Sequence, residues 1–420
     1  MSHYLFLNAN LTGLKTMKEL ISLGHDISYV ESSSFINYIE NEESKEIKKM
    51  INNIYLLEDT DDAVKLIQLA IAINKNHKLD GVICIAESSM ESASAVAECL
   101  NLPFPSNQAV INCRNKYNTR QLIDQHGIRN VRFRHASSRD DLLKAASEIG
   151  FPLVIKPKTS LNSFGAAIIH KQSQLLPAWQ QILSSVSEQK QKMQEQFLRG
   201  FLVEEYLDGD MVSVEVFNDG DKSHVFMISG RGRSQQDELI DYRIDMPANL
   251  SPQEKQQCEE YTLSIISAIG LKYGIFHIEV ILTSNGPVLV EVNPRMMGSY
   301  MPMLYKNLTG NNIYEWLAAI HSGNKIDTST ILKNDSVGCA IRFDTALDSN
   351  YIPDEFKNAV LEDFSPVYSE LSYDKTSQDI SAGQTLGRVQ VIYPSHKALL
   401  MSLDKFYKRI SEELELELLH

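Results

Sequence analysis

Apolar and polar positions follow two alternating periods over the first 110 residues. Short apolar runs, which predict strands, are separated by longer stretches with apolar residues three or four positions apart, which predict helices. Such an alternation is typical of a parallel α/β sheet. We therefore predict a parallel α/β domain over residues 1–110. The predicted strands are 4–7, 26–30, 54–57 and 81–85, and the predicted helices are 13–23, 61–74 and 89–100.

The pattern changes after residue 110. Residues 111–145 have a helical pattern and predict linking helices. Strands and helices then form two groups, 146–208 and 209–330, which predict two α+β subdomains that face each other. Residues 331–420 predict a smaller α+β cap that closes on the second subdomain.

Two carboxylates stand inside an apolar hairpin over residues 277–295, HIEVILTSNGPVLVEVNPR. The SNGP turn between two β-branched runs predicts the hairpin, and strand alternation brings Glu279 close to Glu291, with Asn293 nearby. Paired carboxylates repel each other and lose solvation, which a cation between them would relieve. All-oxygen ligands suit Mg²⁺ or Mn²⁺. The alternative is a hairpin with one solvated face, where such residues are ordinary.

A second candidate feature is Lys156, which ends an apolar strand before the small polar loop TSLNSFG. Lysine at such a position can bind phosphate, with Ser160, Ser163 and backbone N–H groups around the phosphate oxygens. The alternative is a lysine that reaches solvent beside an ordinary turn. Lys116 is equally ambiguous by itself. Arg295, at the end of the hairpin, could bind an anion near the metal.

The segment LVEEYLDGD, residues 202–210, ends an apolar strand with two glutamates and continues into a glycine turn. An interdomain hinge of this kind has free backbone N–H and C=O groups, which can recognise the edge of an adenine. The alternative is a strand end followed by a turn.

Composition excludes several classes of protein. Acidic residues number 54 against 40 basic ones, a net charge of −14, which argues against a nucleic-acid surface. The five cysteines are scattered without a CxxC pair, so neither a zinc ribbon nor a disulfide framework is indicated, and we expect a cytoplasmic protein. The most apolar predicted helix is too short to span a bilayer.

In this order, the motifs resemble the ATP-grasp superfamily. The lysine at 116, VIKP, the small-residue loop, VEEYLDG and the Glu…Glu-x-Asn-x-Arg hairpin carry the resemblance, which extends over nearly the whole chain. It implies an ATP-grasp fold with a preceding α/β domain and a C-terminal cap. Within the superfamily, the chain is most similar to L-amino acid ligases and to carnosine-synthase-like ligases.

The resemblance implies a role for each matching position. Lys116 and Lys156 match the lysines that hold the nucleotide phosphates, and 160–165, ending at Gly165, matches the mobile loop that closes over them. Glu279 and Glu291 match the carboxylates that bridge two Mg²⁺ ions, with Asn293 as a third ligand. Arg295 matches the arginine that steadies the acyl-phosphate. The residues that match the adenine hinge are Glu204, Glu205, Tyr206 and Leu207.

Other positions indicate the substrate. Glu87 follows the predicted strand 81–85, where α/β sheets place ligand groups, and it resembles a glutamate that faces the amino group of the first amino acid. His277 matches a histidine near that substrate. Arg231 and Arg233 are candidates to hold a substrate carboxylate. The alternatives are an acid near a helix start for Glu87, a packed histidine for His277 and a solvated turn for the arginines.

The chain departs from the family pattern at three places. The small-residue loop has one glycine where related loops have two or three. Met211 occupies a position where a glutamate often binds ribose hydroxyls, and Asp210 is the candidate to replace it. The usual glycine pair after the arginine is Met297-Gly298, beside the expected acceptor pocket, which predicts an altered substrate choice.

These features predict an ATP-dependent carboxylate–amine ligase that joins two amino acids through an acyl-phosphate. The alternatives are a biotin carboxylase-like enzyme, which would need a separate carrier because no Met-Lys-Met segment is present, and a nucleotide-binding protein without ligase activity. Small amino-acid substrates are the expected partners, with no nucleic acid and no membrane. The resemblance leaves a homodimer open.

Overall fold

The computed structural model describes residues 1–33, 42–159, 165–187, 194, 200–236, 238–348, 352–353, 355–371 and 380–420. Ser160 and Ser163, both predicted phosphate ligands, lie outside these described residues.

The first sheet is parallel, as predicted, and helices accompany its strands. The strands are β1 (His3–Leu7), β2 (Asp26–Ser32), β3 (Asn53–Leu57) and β4 (Gly81–Cys84), and the helices are α1 (Leu11–Ser22), α2 (Glu42–Lys49), α3 (Ala63–Asn76) and α4 (Met90–Leu100). The strand order is β3-β2-β1-β4. Along β1, Tyr4 and Phe6 belong to one apolar core whereas Leu5 and Leu7 belong to another, because both faces of a parallel sheet are covered.

The second sheet is antiparallel and has the order β5-β8-β6-β7. Its strands are β5 (Phe133–Ala136), β6 (Leu153–Pro157), β7 (Ala167–Ile169) and β8 (Phe201–Glu205), and the helices of this part are α5 (Asn107–Arg114), α6 (Lys116–Gln125), α7 (Arg139–Ile149) and α8 (Gln172–Ser187). Strand β5 lies inside the stretch that we predicted as linking helices. That prediction was wrong for β5 because FRHA is a short edge strand in which only Ala136 is fully buried.

The third sheet has eight strands in the order β13-β12-β9-β10-β11-β14-β16-β15. Its strands are β9 (Asp210–Asn218), β10 (Ser223–Arg233), β11 (Asp241–Met246), β12 (Gly274–Thr283), β13 (Gly286–Asn293), β14 (Val337–Asp344), β15 (Tyr368–Leu371) and β16 (Thr385–Tyr393), and the helices are α9 (Pro252–Ile269), α10 (Met301–Thr309), α11 (Ile313–His321), α12 (Glu355–Phe364) and α13 (His396–Leu414).

The strands of the predicted C-terminal cap continue the sheet of the preceding subdomain. Strand β11 joins the two parts, because it pairs with β10 on one side and with β14 on the other. The sequence pattern did not predict β11, whose sequence DYRIDM alternates charged and apolar residues without an apolar run.

One apolar core joins the first sheet to the third. Met296, Met297 and Met301, which follow the predicted hairpin, pack in the same buried cluster as Tyr4 and Phe6 of β1. This packing brings the chain after β13 against the first sheet. Among the residues that the structure describes, no helix has the length and apolar character needed to cross a membrane.

Candidate active site

A cavity of about 690 Å³ lies where the three sheets meet. Side chains of β6 and β8 line it from the second sheet, and side chains of β12, β13, β14 and β16 line it from the third. The predicted site residues that line this cavity are Glu87, Lys116, Lys156, Glu204, Glu205, Tyr206, Leu207, Arg231, Arg233, His277, Glu279, Glu291, Asn293, Arg295 and Gly298.

The two hairpin carboxylates lie directly opposite each other. The register of β12 against β13 pairs Glu279 with Glu291 and His277 with Asn293, with a bulge immediately after Glu279. The predicted proximity of the carboxylates is therefore confirmed. His277 and Asn293 are buried, and the side chains of Glu279 and Glu291 are 18% and 22% exposed, so both carboxylates reach the cavity.

Each of these carboxylates has a cationic partner. Lys116 Nζ donates to Glu291 Oε1 at 2.8 Å, and Arg231 Nη2 donates to Glu279 Oε1 at 3.0 Å. Burial alone would raise the pKa of Glu279, but Arg231 and His277 outweigh it and lower that pKa to about 2. Burial raises the pKa of Glu291, and Lys116 offsets only part of that effect.

A buried ion-pair cluster holds the second lysine. Lys156 Nζ lies 2.6 Å from Glu204 Oε2, and Arg120 Nε donates to Glu204 Oε1 at 2.8 Å. Arg120 and Lys156 also donate to the carbonyl of Val290, at 3.0 and 3.4 Å. Burial would raise the pKa of Glu204, but the two cations lower it to about 2, whereas burial lowers the pKa of Lys156. The Glu204 side chain is thus committed to positioning Lys156 beside the hairpin.

The predicted hinge begins where β8 leaves its sheet. Glu205 accepts a hydrogen bond from Arg132 Nε at 2.6 Å, and the N–H of Tyr206 donates to the carbonyl of Pro152 at 3.2 Å. The Tyr206 hydroxyl donates to Glu238 at 2.6 Å. Leu207 follows and lines the cavity without a backbone hydrogen bond to any described residue.

Arg295 and Glu87 meet although 208 positions separate them. Arg295 Nη2 donates to Glu87 Oε2 at 2.9 Å and to Asn293 Oδ1 at 3.3 Å. Glu87 lies in the short turn that follows β4, at the carboxyl end of the first sheet, where the sequence predicted a ligand group. A carboxylate from one sheet and a guanidinium from another therefore share one wall of the cavity.

His277 and Arg231 form a network around Glu279. His277 Nδ1 lies 2.7 Å from Glu215 Oε1, and Nε2 lies 3.1 Å from Glu279 Oε1. Burial would lower the pKa of His277, but Glu215 and Glu279 raise it to about 9. Arg231 also donates to Ser213 Oγ at 2.9 Å and to Asp241 Oδ2 at 2.5 Å. Its guanidinium is occupied by protein groups, so it is placed to hold Glu279.

Some predicted residues lie elsewhere. Asp210 is exposed and does not line the cavity, whereas Met211 does. Gly165 does not line the cavity. Arg233 lines the cavity, and its Nη2 donates to the carbonyl of Gly209 at 2.6 Å. The two serines of the small-residue loop lie outside the described residues.

Sequence reasoning missed several residues of the site. Arg120 follows Lys116 by four positions on α6, a spacing that places both on one helix face and could have indicated a shared role. Glu215 and Asp241, which complete the network around Glu279, have no comparable local signal. Arg342 and Arg388 on β14 and β16 also line the cavity and were not predicted.

A family model matches the central part of the chain. Residues 149–302 match the family model described as an ATP-grasp domain. The chain therefore contains an ATP-grasp domain, and its three sheets have the ATP-grasp fold that the motifs implied.

Several named proteins and solved structures are similar to this chain. Dapdiamide A synthase of Enterobacter agglomerans is 27% identical over 248 residues, which are 54% of this chain and 54% of that protein. The L-amino acid ligase of Bacillus licheniformis has a TM-score of 0.78 at 16% identity, over 100% of this chain and 99% of that one. The biotin carboxylase domain dimer of Hydrogenobacter thermophilus 2-oxoglutarate carboxylase, solved with MgADP, ADP and bicarbonate, has a TM-score of 0.69 at 15% identity, over 99% and 90%.

The chain spans about half the length of the curated relatives that it matches. At identities of 15–16%, the structural likeness shows the fold alone.

Proposed function

We propose that this protein is an ATP-dependent carboxylate–amine ligase that activates an amino-acid carboxylate and joins it to the amine of a second amino acid. The observation that carries the proposal is the single cavity in which Lys116, Lys156 and the Glu279–Glu291 pair adjoin Arg295 and Glu87. The cations that we propose for phosphate, the oxygen ligands that we propose for a metal and the carboxylate that we propose for an amine thus line the same cavity.

The end of the cavity near β6 and β8 suits a nucleotide. Leu207 is the hinge residue that would read the adenine edge, and apolar side chains provide walls for the flat ring. The second sheet provides Val154 and Ile168, and the third sheet provides Met211, Ile281 and Leu289. Lys156 and Lys116 would then contact the phosphates. Because Met211 cannot bind a ribose hydroxyl, we expect the ribose to contribute little to nucleotide affinity.

Glu279, Glu291 and Asn293 fit the divalent cation that such chemistry requires. Two carboxylates and an amide oxygen are hard oxygen donors, which Mg²⁺ and Mn²⁺ prefer. Among the described residues, His, Cys, Asp and Glu side chains do not form a metal-binding group of three or more. Two carboxylates and one amide are fewer ligands than Mg²⁺ takes, so phosphate oxygens and water would complete the site. When bound, the metal would neutralise negative charge on the phosphates.

The protein's own groups account for the rest of the reaction. A carboxylate oxygen attacks the γ-phosphorus, the bond to the bridging oxygen of ADP breaks, and an acyl-phosphate forms. Lys116, Lys156 and Arg295 would stabilise charge on the transferring group. The amine then attacks the acyl carbon, and phosphate leaves as the amide forms. Glu87 would bind the ammonium group of the activated amino acid. Its hydrogen bond from Arg295 would then break, which would free Arg295 for the transferring group.

The test is phosphate release from ATP and Mg²⁺ across a matrix of paired amino acids, with mass spectrometry of the products. We expect release only with two amino acids and a product of their condensed mass. The Glu279→Gln variant should abolish release, whereas Glu362→Gln, which removes an exposed carboxylate outside the cavity, should not change it.

Other outcomes identify the alternatives. Phosphate release that depends on bicarbonate would instead support a biotin carboxylase-like enzyme. Binding of ATP without turnover on any amino-acid pair, bicarbonate or other amine would support a nucleotide-binding protein and contradict the ligase proposal.

A further inference from the structure

We propose that Arg388 and Arg342, on the C-terminal strands β16 and β14, form a binding site for an anionic group carried by the amine substrate. The identity of that ligand as an amine substrate rests on the proposed ligase function. The anion site itself rests on the geometry of the two arginines.

The two arginines lie directly opposite each other. The register of β14 against β16 pairs Arg342 with Arg388, and both side chains line the cavity. Residues paired in this way have Cβ atoms about 5 Å apart, and like charges so placed destabilise a sheet. An anion bound between the two guanidinium groups would relieve that repulsion.

Neither guanidinium is fully occupied by protein. Arg388 has no hydrogen bond or ion pair with any described residue. Arg342 Nε lies 2.6 Å from Asp344 Oδ2, but the groups are not aligned for a hydrogen bond. Asp344 itself accepts a hydrogen bond from Thr385 at 2.6 Å.

Two other cavity arginines, Arg231 and Arg295, differ in this respect. Arg231 binds Ser213, Asp241 and Glu279, and Arg295 binds Glu87 and Asn293. Arg243 also lines the cavity with an unbonded Nε, and its Nη2 lies 3.6 Å from Asp245 Oδ2. Arg342 and Arg388 are distinguished from it because they face each other across one strand pair.

An aromatic frame, formed by Tyr300 and Tyr368, adjoins Arg388 through Tyr300 and binds the carboxylate of Glu370. The Arg388 guanidinium lies 5.5 Å from the centre of the Tyr300 ring. Glu370 is the register neighbour of Arg388 on β15, but its carboxylate accepts hydrogen bonds from the Tyr300 and Tyr368 hydroxyls. Gln390 Nε2 donates to the Tyr300 carbonyl at 2.8 Å, which fixes the backbone of the frame.

This arrangement selects a ligand by chemistry. Two adjacent guanidinium groups match the oxygens of a carboxylate or a phosphate, which arginine binds through paired hydrogen bonds. Because the site shares the cavity with Arg295, the ligand would be an amine that carries a carboxylate, as an amino acid does, or a phosphate. A neutral amine would lack this contact.

The experiment measures calorimetric binding to the full-length protein in the presence of MgADP. The probes are the twenty common amino acids, their carboxamides, and O-phosphoethanolamine. The variants are Arg388→Gln and Arg342→Gln, with Arg409→Gln as a control, since Arg409 pairs with Glu362 and Asp363 outside the cavity. Thermal unfolding of each variant excludes loss of fold.

We expect wild-type protein to bind an acid or phosphate probe, and Arg388→Gln to weaken that binding about 10- to 100-fold without changing MgADP affinity. Binding of the matching amide should not change. If Arg388→Gln weakens binding of the carboxylate probes alone, the anionic group of the ligand is a carboxylate. If it weakens binding of O-phosphoethanolamine alone, that group is a phosphate.

Equal loss for acid and amide would overturn the proposal, as would unchanged binding in Arg388→Gln or a wild-type protein that binds none of the anionic probes. If an anionic probe binds through Arg388 but phosphate is never released from ATP, the ligase function fails while the anion site stands.

Discussion

The two ends of the cavity differ in how their charged side chains are satisfied. Around the β12–β13 hairpin, the protein itself neutralises its charges, since Lys116 binds Glu291, Arg231 binds Glu279, and Arg120 and Lys156 bind Glu204. On the C-terminal strands, Arg342 and Arg388 face each other across one strand pair, and neither donates a hydrogen bond to a protein acceptor among the described residues.

This difference separates positioning from recognition. Charges that form pairs within the protein have fixed orientations before any ligand binds, which is what chemistry on a transferring phosphoryl group needs. Charges without a full set of partners are available to a ligand and can determine which substrate is accepted. The following predictions test this division, from the largest expected effect to the smallest.

The largest effect should follow from removing Arg295. Because we propose that Arg295 stabilises the transferring group and the acyl-phosphate, Arg295→Ala should lower kcat of ATP turnover about 100- to 1,000-fold. Steady-state phosphate release measures this. Arg409→Gln is the matched control, and a loss confined to KM would contradict a role in the transition state.

The next effect concerns the buried cluster around Glu204. Glu204 is 4% exposed, and Glu204→Gln leaves Arg120 and Lys156 uncompensated. We expect the free energy of unfolding to fall by about 3–5 kcal/mol. Urea denaturation of the variant against wild type measures this change.

Two controls sharpen that measurement. Glu205→Gln breaks a pair with Arg132, whose side chain is 62% exposed, and should cost about 0–1 kcal/mol. Arg388→Gln removes one of two facing like charges and should leave the free energy of unfolding unchanged or raise it. A large loss for Arg388→Gln would mean that the C-terminal arginines are structural.

The same cluster predicts a pH dependence. The pKa of Glu204 falls to about 2 in the folded protein from an ordinary value of 4.5, so its ionised form favours folding. The stability that it contributes is complete above pH 4.5 and is lost as the pH falls towards 2. The difference in unfolding free energy between wild type and Glu204→Gln should therefore shrink below pH 4.5. A constant difference down to pH 3 would exclude this assignment.

The smallest effect on stability should come from metal removal. Glu279 and Glu291 already have Arg231 and Lys116 as partners, so a chelator, without nucleotide present, should shift Tm by no more than about 1 °C. When ATP is then added, the chelator should stop ATP turnover. A large fall in Tm would instead show that the metal is needed for folding.

Much of the fold and of the hairpin site could be predicted from local sequence. The apolar runs of β1 and β4 and the turn between β12 and β13 determined their strands, and side-chain alternation placed Glu279 beside Glu291. The short edge strand β5 and the charged strand β11 were not predicted because neither has an apolar run. Their positions depend on the neighbouring strands.

The sequence by itself determined which chemistry is present: two lysines, two carboxylates, an amide and an arginine in a family-like order. Only the tertiary structure decided how these groups are paired. Arg231, a candidate substrate ligand, proved to be bound by Ser213 and Asp241, whereas Arg342 and Arg388 came into the cavity. Strand periodicity is a local property that can be read along the chain. Charge pairing depends on which strands become neighbours, and that is settled by long-range packing.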